Sequence, residues 1–165
     1  MNYFELFEVP VQLSVDKTNL SARYFELSRK YHPDYYINAG PEAQAEALEK
    51  SALLNKALRT FQNPDETIRY VLQLKGLMEE EEKYELPAGF LMKVLEVNEA
   101  LMDAAGDTDK NNIRQVIDNL EKEIYEPVQK IVESYQEGVT SKEELLQVKE
   151  YYYKKKYIDR IRREL

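Results

Sequence analysis

From residue 113 to residue 135 a stripe of apolar residues recurs at helical spacing. Ile113, Ile117, Leu120, Ile124, Ile131 and Tyr135 follow each other at helical intervals, and Val128 fills the one gap. A stripe of this length buries one side of a helix and needs other helices to cover it. The rest of the chain agrees. Only five Gly and six Pro occur in 165 residues, and runs of β-branched residues are few. The expected fold class is all-α.

Punctuation divides the chain. Asp16 is placed to cap a helix over residues 16–31, with Leu20, Tyr24, Leu27 and Tyr31 as its apolar stripe. Pro33 disfavours helical geometry at His32 and ends it. After a polar loop to Gly40, Pro41 suits the first turn of a second helix reaching Gln62. Its face is Ala47, Leu54, Ala57, Leu58 and Phe61. Asn63, Pro64 and Asp65 break that helix. A shorter one follows, with Ile68, Val71, Leu72 and Leu74, closed by Gly76. The acidic run at residues 79–82 opens a connector to Pro87; a charge run of this kind is ordinarily a solvated face or a linker. Beyond it, helices are expected over residues 87–105, over 109–137 with a kink at Pro127, and from Ser141, where Ser141 and Glu144 form a capping-box pattern. Short connections make these three antiparallel neighbours.

Composition excludes several functions. There is no Cys and a single His, so disulfides, thiol catalysis and Cys- or His-rich metal sites are ruled out. The formal charge is -8. Residues 1–76 carry 9 basic and 10 acidic groups, leaving 14 and 21 of the totals of 23 and 31 for residues 77–165. An acidic second half argues against a broad nucleic-acid footprint, which needs cations to release counterions. No apolar run reaches the ~18–20 residues of a membrane span. Met1 leads straight into structured-looking sequence, so no targeting peptide and a cytoplasmic location are expected.

The one histidine stands in the tripeptide His32-Pro33-Asp34, at the end of the first long helix. As an acid/base pair it lacks company. No phosphate loop, nucleophile elbow or HExxH pattern accompanies it, and nothing marks further groups converging on a pocket. Taken alone it is as well read as a helix stop in a surface loop. Its surroundings point elsewhere: Arg23 and Lys30 are seven residues apart on one helix face, with Arg29 adjacent. A cationic face beside a rigid polar tip suits a partner with an acidic groove, although any of these cations taken singly is equally a solvated surface residue.

Residues 1–76 resemble a J-domain. The resemblance is carried by the opening Tyr3-Phe4-Glu5-Leu6-Phe7, by residues 23–34 ending in the tripeptide, by Leu54-Asn55-Lys56-Ala57-Leu58-Arg59-Thr60-Phe61, and by Asn63-Pro64 and Arg69-Tyr70. The run Phe90-Leu91-Met92-Lys93-Val94-Leu95-Glu96-Val97-Asn98-Glu99, following after a short connector, resembles the C-terminal domain of the HscB family of iron-sulfur assembly co-chaperones. The likeness spans the whole chain, more weakly in the last two helices. It implies a J-domain helical hairpin over residues 1–76, a linker over 77–86 and a three-helix scaffold-binding bundle over 87–165. It also implies a protein that is no enzyme and needs no cofactor; some relatives carry an N-terminal cysteine zinc module, and this chain, without Cys, is expected to hold no metal. Such a protein stimulates ATP hydrolysis by a DnaK/HscA-class chaperone and delivers to it an iron-sulfur scaffold protein of the IscU type; delivery of a different client is the alternative. The chaperone-binding residues so implied are His32, Pro33, Asp34, Arg23, Arg29 and Lys30. Tyr35 stands where J-domains commonly have Lys, so one cationic contact is missing.

Periodicity supports a client surface independently. At ~100° per residue, Phe90, Val94, Val97 and Leu101 share a narrow stripe, Leu91, Leu95 and Met102 a second, and Met92, Glu96, Glu99 and Asp103 a third. One stripe docks the helix, so the second is either a partner patch or packs on the last helix of the bundle. The family resemblance implies scaffold contacts at Leu91, Met92, Leu95, Glu96, Glu99 and Asp103, joined by an aromatic best matched by Tyr153. Tyr151, Tyr152 and Tyr157 offer competing registers.

Overall fold

The computed structural model describes residues 1–165 and contains eight α-helices, one 3-10 turn and no strand. The all-α expectation holds. Two compact units divide within one helix, residues 1–71 and 72–165.

The first unit is built on a helical hairpin. Helix α1 (Tyr3–Phe7) is capped by the Asn2 side chain, and Glu8 ends it in the left-handed region (φ 56°). Helix α2 (Lys17–Lys30) is capped by Asp16, whose carboxylate accepts from the N–H groups of Thr18 and Asn19. Helix α3 (Pro41–Gln62) starts on Pro41 and ends before Asn63, as the sequence predicts. Its antiparallel pairing with α2 is fixed at two levels. The Tyr24 hydroxyl donates to Asn55 Oδ1 at 2.6 Å, and the Ser51 hydroxyl to the Tyr31 carbonyl at 3.0 Å. Helix α4 (Pro64–Leu74) follows. Phe4, Phe7 and Phe61 pack as the aromatic centre, and Tyr70 stacks on Tyr3 at 4.4 Å while its hydroxyl accepts the Tyr3 N–H. Burial pushes the Tyr70 phenol above its ordinary value. Leu74 is 40% exposed, so the stripe of α4 ends at Leu72.

The second unit contains helices α5 (Ala88–Met102), α6 (Asp107–Tyr125), α7 (Gln129–Glu133) and α8 (Lys142–Arg162). Phe90, Val94 and Val97 of α5 meet Ile113, Ile117, Leu120 and Ile124 of α6 and the buried face of α8. Two boundaries differ from expectation. Helix α5 stops at Met102 rather than Ala105: the Ala105 N–H is taken by the Asp109 carboxylate at 2.9 Å, and Gly106 (φ 97°) opens α6 instead of closing α5. The expected kink at Pro127 is a full break. Pro127 offers no N–H to Glu123, three residues turn, and the helix restarts at Gln129. The break shifts the seam by one position, so Val132 is buried where Ile131 was expected, and Tyr135 lies beyond the helix. The capping box at Ser141 is present in full.

Candidate functional site

The chain presents two sets of exposed side chains, one on each unit. The first is the turn after α2. His32 is extended (φ -64°, ψ 128°), as a residue before proline must be, and Pro33 opens a 3-10 turn over Pro33–Tyr36. His32 Nδ1 accepts the Asp34 N–H at 3.2 Å, so the neutral ring carries its proton on Nε2. The Asp34 carboxylate lies 3.6 Å from the same nitrogen. The Tyr36 hydroxyl donates to the Lys30 carbonyl at 3.0 Å and ties the turn to the end of α2. His32 and Asp34 side chains are 52% and 78% exposed, so they form a tip and not the wall of a cleft. Tyr35, in the position where a cation was missed, is 72% exposed and meets the His32 ring edge-on at 6.2 Å.

The three cations of α2 are not equivalent. Arg23 is largely covered: its Nε donates to the Phe7 carbonyl at 2.9 Å, one terminal nitrogen meets Glu26 at 3.1 Å, and the other pairs with Glu8. Lys30 lies 4.0 Å from Glu8 and over the Tyr31 ring at 5.3 Å. Arg29 is exposed on the outer face, four residues from Phe25, itself 65% exposed. Glu8, which reaches α2 from the end of α1, belongs to no local pattern that marks it as a partner of Arg23. Phe25 was detectable as an apolar residue outside the Leu20, Tyr24, Leu27, Tyr31 stripe.

The second set lies on α5. Leu91, Met92 and Leu95 are 40%, 64% and 57% exposed. Glu96, Glu99, Met102 and Asp103 are exposed as well. Leu91 and Leu95 therefore do not fill the core. With the helical angle of ~100° per residue, this arc turns through roughly 140°, apolar at the Leu91 edge and acidic at the Glu96 edge. Contiguous apolar surface rimmed by carboxylates is the composition of a partner-binding patch.

Tyr153, the aromatic expected to join this patch, is engaged within its own unit. Its ring stacks on Tyr84 at 4.6 Å, and its hydroxyl donates to Glu82 at 3.0 Å. Glu82 also receives Lys149 Nζ at 2.9 Å, and this hydrogen bond holds its carboxyl below the usual carboxylate range. The acidic run is thus not uniformly solvated, because its last residue is fastened to α8. The next residue, Lys154, lies over the Phe90 ring at 5.6 Å, which brings this part of α8 to the start of α5.

Comparison with known proteins adds to this geometry. Residues 86–165 match the family model described as the HSCB C-terminal oligomerisation domain. The chain is similar to co-chaperone protein HscB of Proteus mirabilis (strain HI4320), 33% identical over 114 residues, which is 68% of this chain and 66% of that one. It is 36% identical over 112 residues to the co-chaperone protein HscB homolog of Colwellia psychrerythraea (strain 34H / ATCC BAA-681), 66% of this chain and 64% of that one. These alignments span just under two thirds of the curated relatives. The crystal structure of human co-chaperone protein HscB superposes with a TM-score of 0.79 at 26% identity, covering 99% of this chain and 79% of that one. Chaperone HscB from Vibrio cholerae does so with a TM-score of 0.72 at 25% identity, covering 99% and 94%.

Proposed function

Because this chain belongs to the HscB family of co-chaperones, we propose that it acts as a two-ended adaptor: it stimulates ATP hydrolysis by a DnaK/HscA-class chaperone and delivers to it an IscU-like iron-sulfur scaffold protein. The first unit serves as the J-domain. The tip of His32, Pro33 and Asp34 engages the ATP-bound chaperone and biases it toward its hydrolysis-competent state, with Arg29 and Lys30 steering the encounter. Arg23 mainly holds α2 against α1 and contributes to recognition through that positioning. The arc of Leu91, Met92, Leu95, Glu96, Glu99 and Asp103 holds the scaffold, with Tyr153 at its border. Carrying both ends on one chain raises the effective concentration of client at the chaperone.

The observation that carries this reading is the exposure of Leu91, Met92 and Leu95 on a helix whose other face is buried at Phe90, Val94 and Val97. A small bundle gains nothing from three solvated apolar side chains unless something covers them. The test is single-turnover ATP hydrolysis by the cognate chaperone. Addition of this protein should accelerate it, and the scaffold added with this protein should accelerate it further. Scaffold that gives no increment favours a different client on the same arc. An enzyme using His32 and Asp34 has less support, since both side chains stand exposed at a tip.

A further inference from the structure

The last helix concentrates positive charge on a unit that is acidic as a whole. From residue 154 to residue 163, α8 and its C-cap residue Arg163 carry Lys154, Lys155, Lys156, Arg160, Arg162 and Arg163 against the single acid Asp159. Three of these cations are neutralised. Lys154 meets Glu150 at 3.6 Å, Lys155 meets Glu121 at 3.2 Å and Asp159 at 2.8 Å, and Arg162 meets Asp118 at 2.7 Å and Glu121 at 3.2 Å. Lys156, Arg160 and Arg163 stand outside these pairs and are exposed. At ~100° per residue they fall within roughly 60° of one another, so they form one stripe. Beside it the Arg160 guanidinium lies 5.3 Å over the ring of Tyr157, which is 37% exposed.

The same face, two turns earlier, shows what such a surface accepts. Lys149 and Tyr153 lie on it, and the chain itself supplies their occupant. Glu82 takes both polar atoms, Tyr84 stacks flat on Tyr153 with 5° between the rings, and Lys149 sits 5.7 Å from the Tyr84 ring centre. A non-helical Glu-x-Tyr segment thus lies on a cation and an aromatic four residues apart. Lys156, Tyr157 and Arg160 repeat those ingredients further along, exposed.

We propose that Lys156, Arg160 and Arg163, with Tyr157, form a docking surface for an acidic, extended segment of a partner protein that carries an aromatic residue near its carboxylates. The charge is complementary, and the surface continues a face that already binds a segment of this chemistry. A nucleic acid fits less well. Three cations displace few counterions, and the acidic remainder of the unit repels a phosphate backbone.

The test is a fluorescence-anisotropy titration of the full chain with a labelled peptide copying residues 79–86. The peptide should bind, more weakly as salt rises, and a version with every Glu changed to Gln should bind at least tenfold more weakly. The variant Lys156→Glu, Arg160→Glu, Arg163→Glu should lose at least tenfold in affinity. The charge-matched control Arg114→Glu, Lys122→Glu, Lys130→Glu should lose less than threefold, both variants keeping the wild-type circular dichroism. Equal losses in the two variants, or no detectable peptide binding, overturn the proposal. So does tighter binding of an oligothymidylate or of phosphatidylserine vesicles than of the peptide.

Discussion

Arg23 of α2 reaches the end of α1 and holds it twice, through the Phe7 carbonyl and through the Glu8 carboxylate. Glu8 is brought within range by its left-handed backbone. The cation that family resemblance assigns to a partner is thus already engaged inside the unit.

This separates two arginines that look alike in sequence. Arg23→Gln should lower the stability of the first unit by about 1–2 kcal/mol, since a part-buried carbonyl loses a charged donor. Arg29→Gln should leave stability within about 0.5 kcal/mol, as an exposed substitution does, and should slow association with the chaperone several-fold at low salt. Urea unfolding and stopped-flow association measure the two effects. An Arg29 variant that unfolds early, or an Arg23 variant of full stability, contradicts the assignment.

At the tip, His32→Gln should abolish stimulation of the chaperone's ATPase and leave scaffold affinity unchanged. Because His32 is half exposed, the melting curve should also stay unchanged. Normal stimulation by this variant sinks the J-domain mechanism.

On α5, Leu91→Ala with Leu95→Ala should weaken scaffold binding tenfold or more, about 1–2 kcal/mol per anchor, with little loss of stability. Phe90→Ala, one residue away on the buried face, should cost about 3 kcal/mol of stability. Calorimetric titration and thermal melts of the three variants separate the faces. Unfolding by the Leu91, Leu95 pair would return both residues to the core.

The fastening of Glu82 to Lys149 and Tyr153 predicts a pH response. The folded carboxyl titrates below its unfolded value, near 4.5. Its contribution to stability is therefore complete above that value and is lost as pH falls through the lower folded one. Glu82→Gln should lower the melting temperature at pH 7, by roughly 2–4 °C for about 1 kcal/mol. The gap between variant and wild type should narrow progressively as pH falls below 4.5. A gap of constant size across the acid range would show that the charge is not what matters.

Much of the fold was legible because local rules and burial agree. Asp16, Pro41, Asn63 and Ser141 mark helix boundaries through their own caps or ring, and the structure keeps each of them. The misses come from interactions that spacing cannot encode. Whether Pro127 kinks or breaks a helix depends on what the freed turn packs against, so Val132 replaced Ile131 in the seam. The exposure of Leu91 and Leu95 was only half legible, because periodicity gives a stripe its direction but not its neighbour. Glu8 with Arg23, and Glu82 with Tyr153, are 15 and 71 residues apart in sequence, and no local pattern announces such pairs.

The hydrogen bond from the Asp34 amide to His32 Nδ1 decides the polarity of the tip. With that nitrogen used up as an acceptor, the ring can show an approaching surface only an N–H. A carbonyl or carboxylate oxygen complements the ring, while the exposed Asp34 carboxylate beside it complements a donor. The turn therefore shows a donor and an acceptor side by side, and a partner has to answer both.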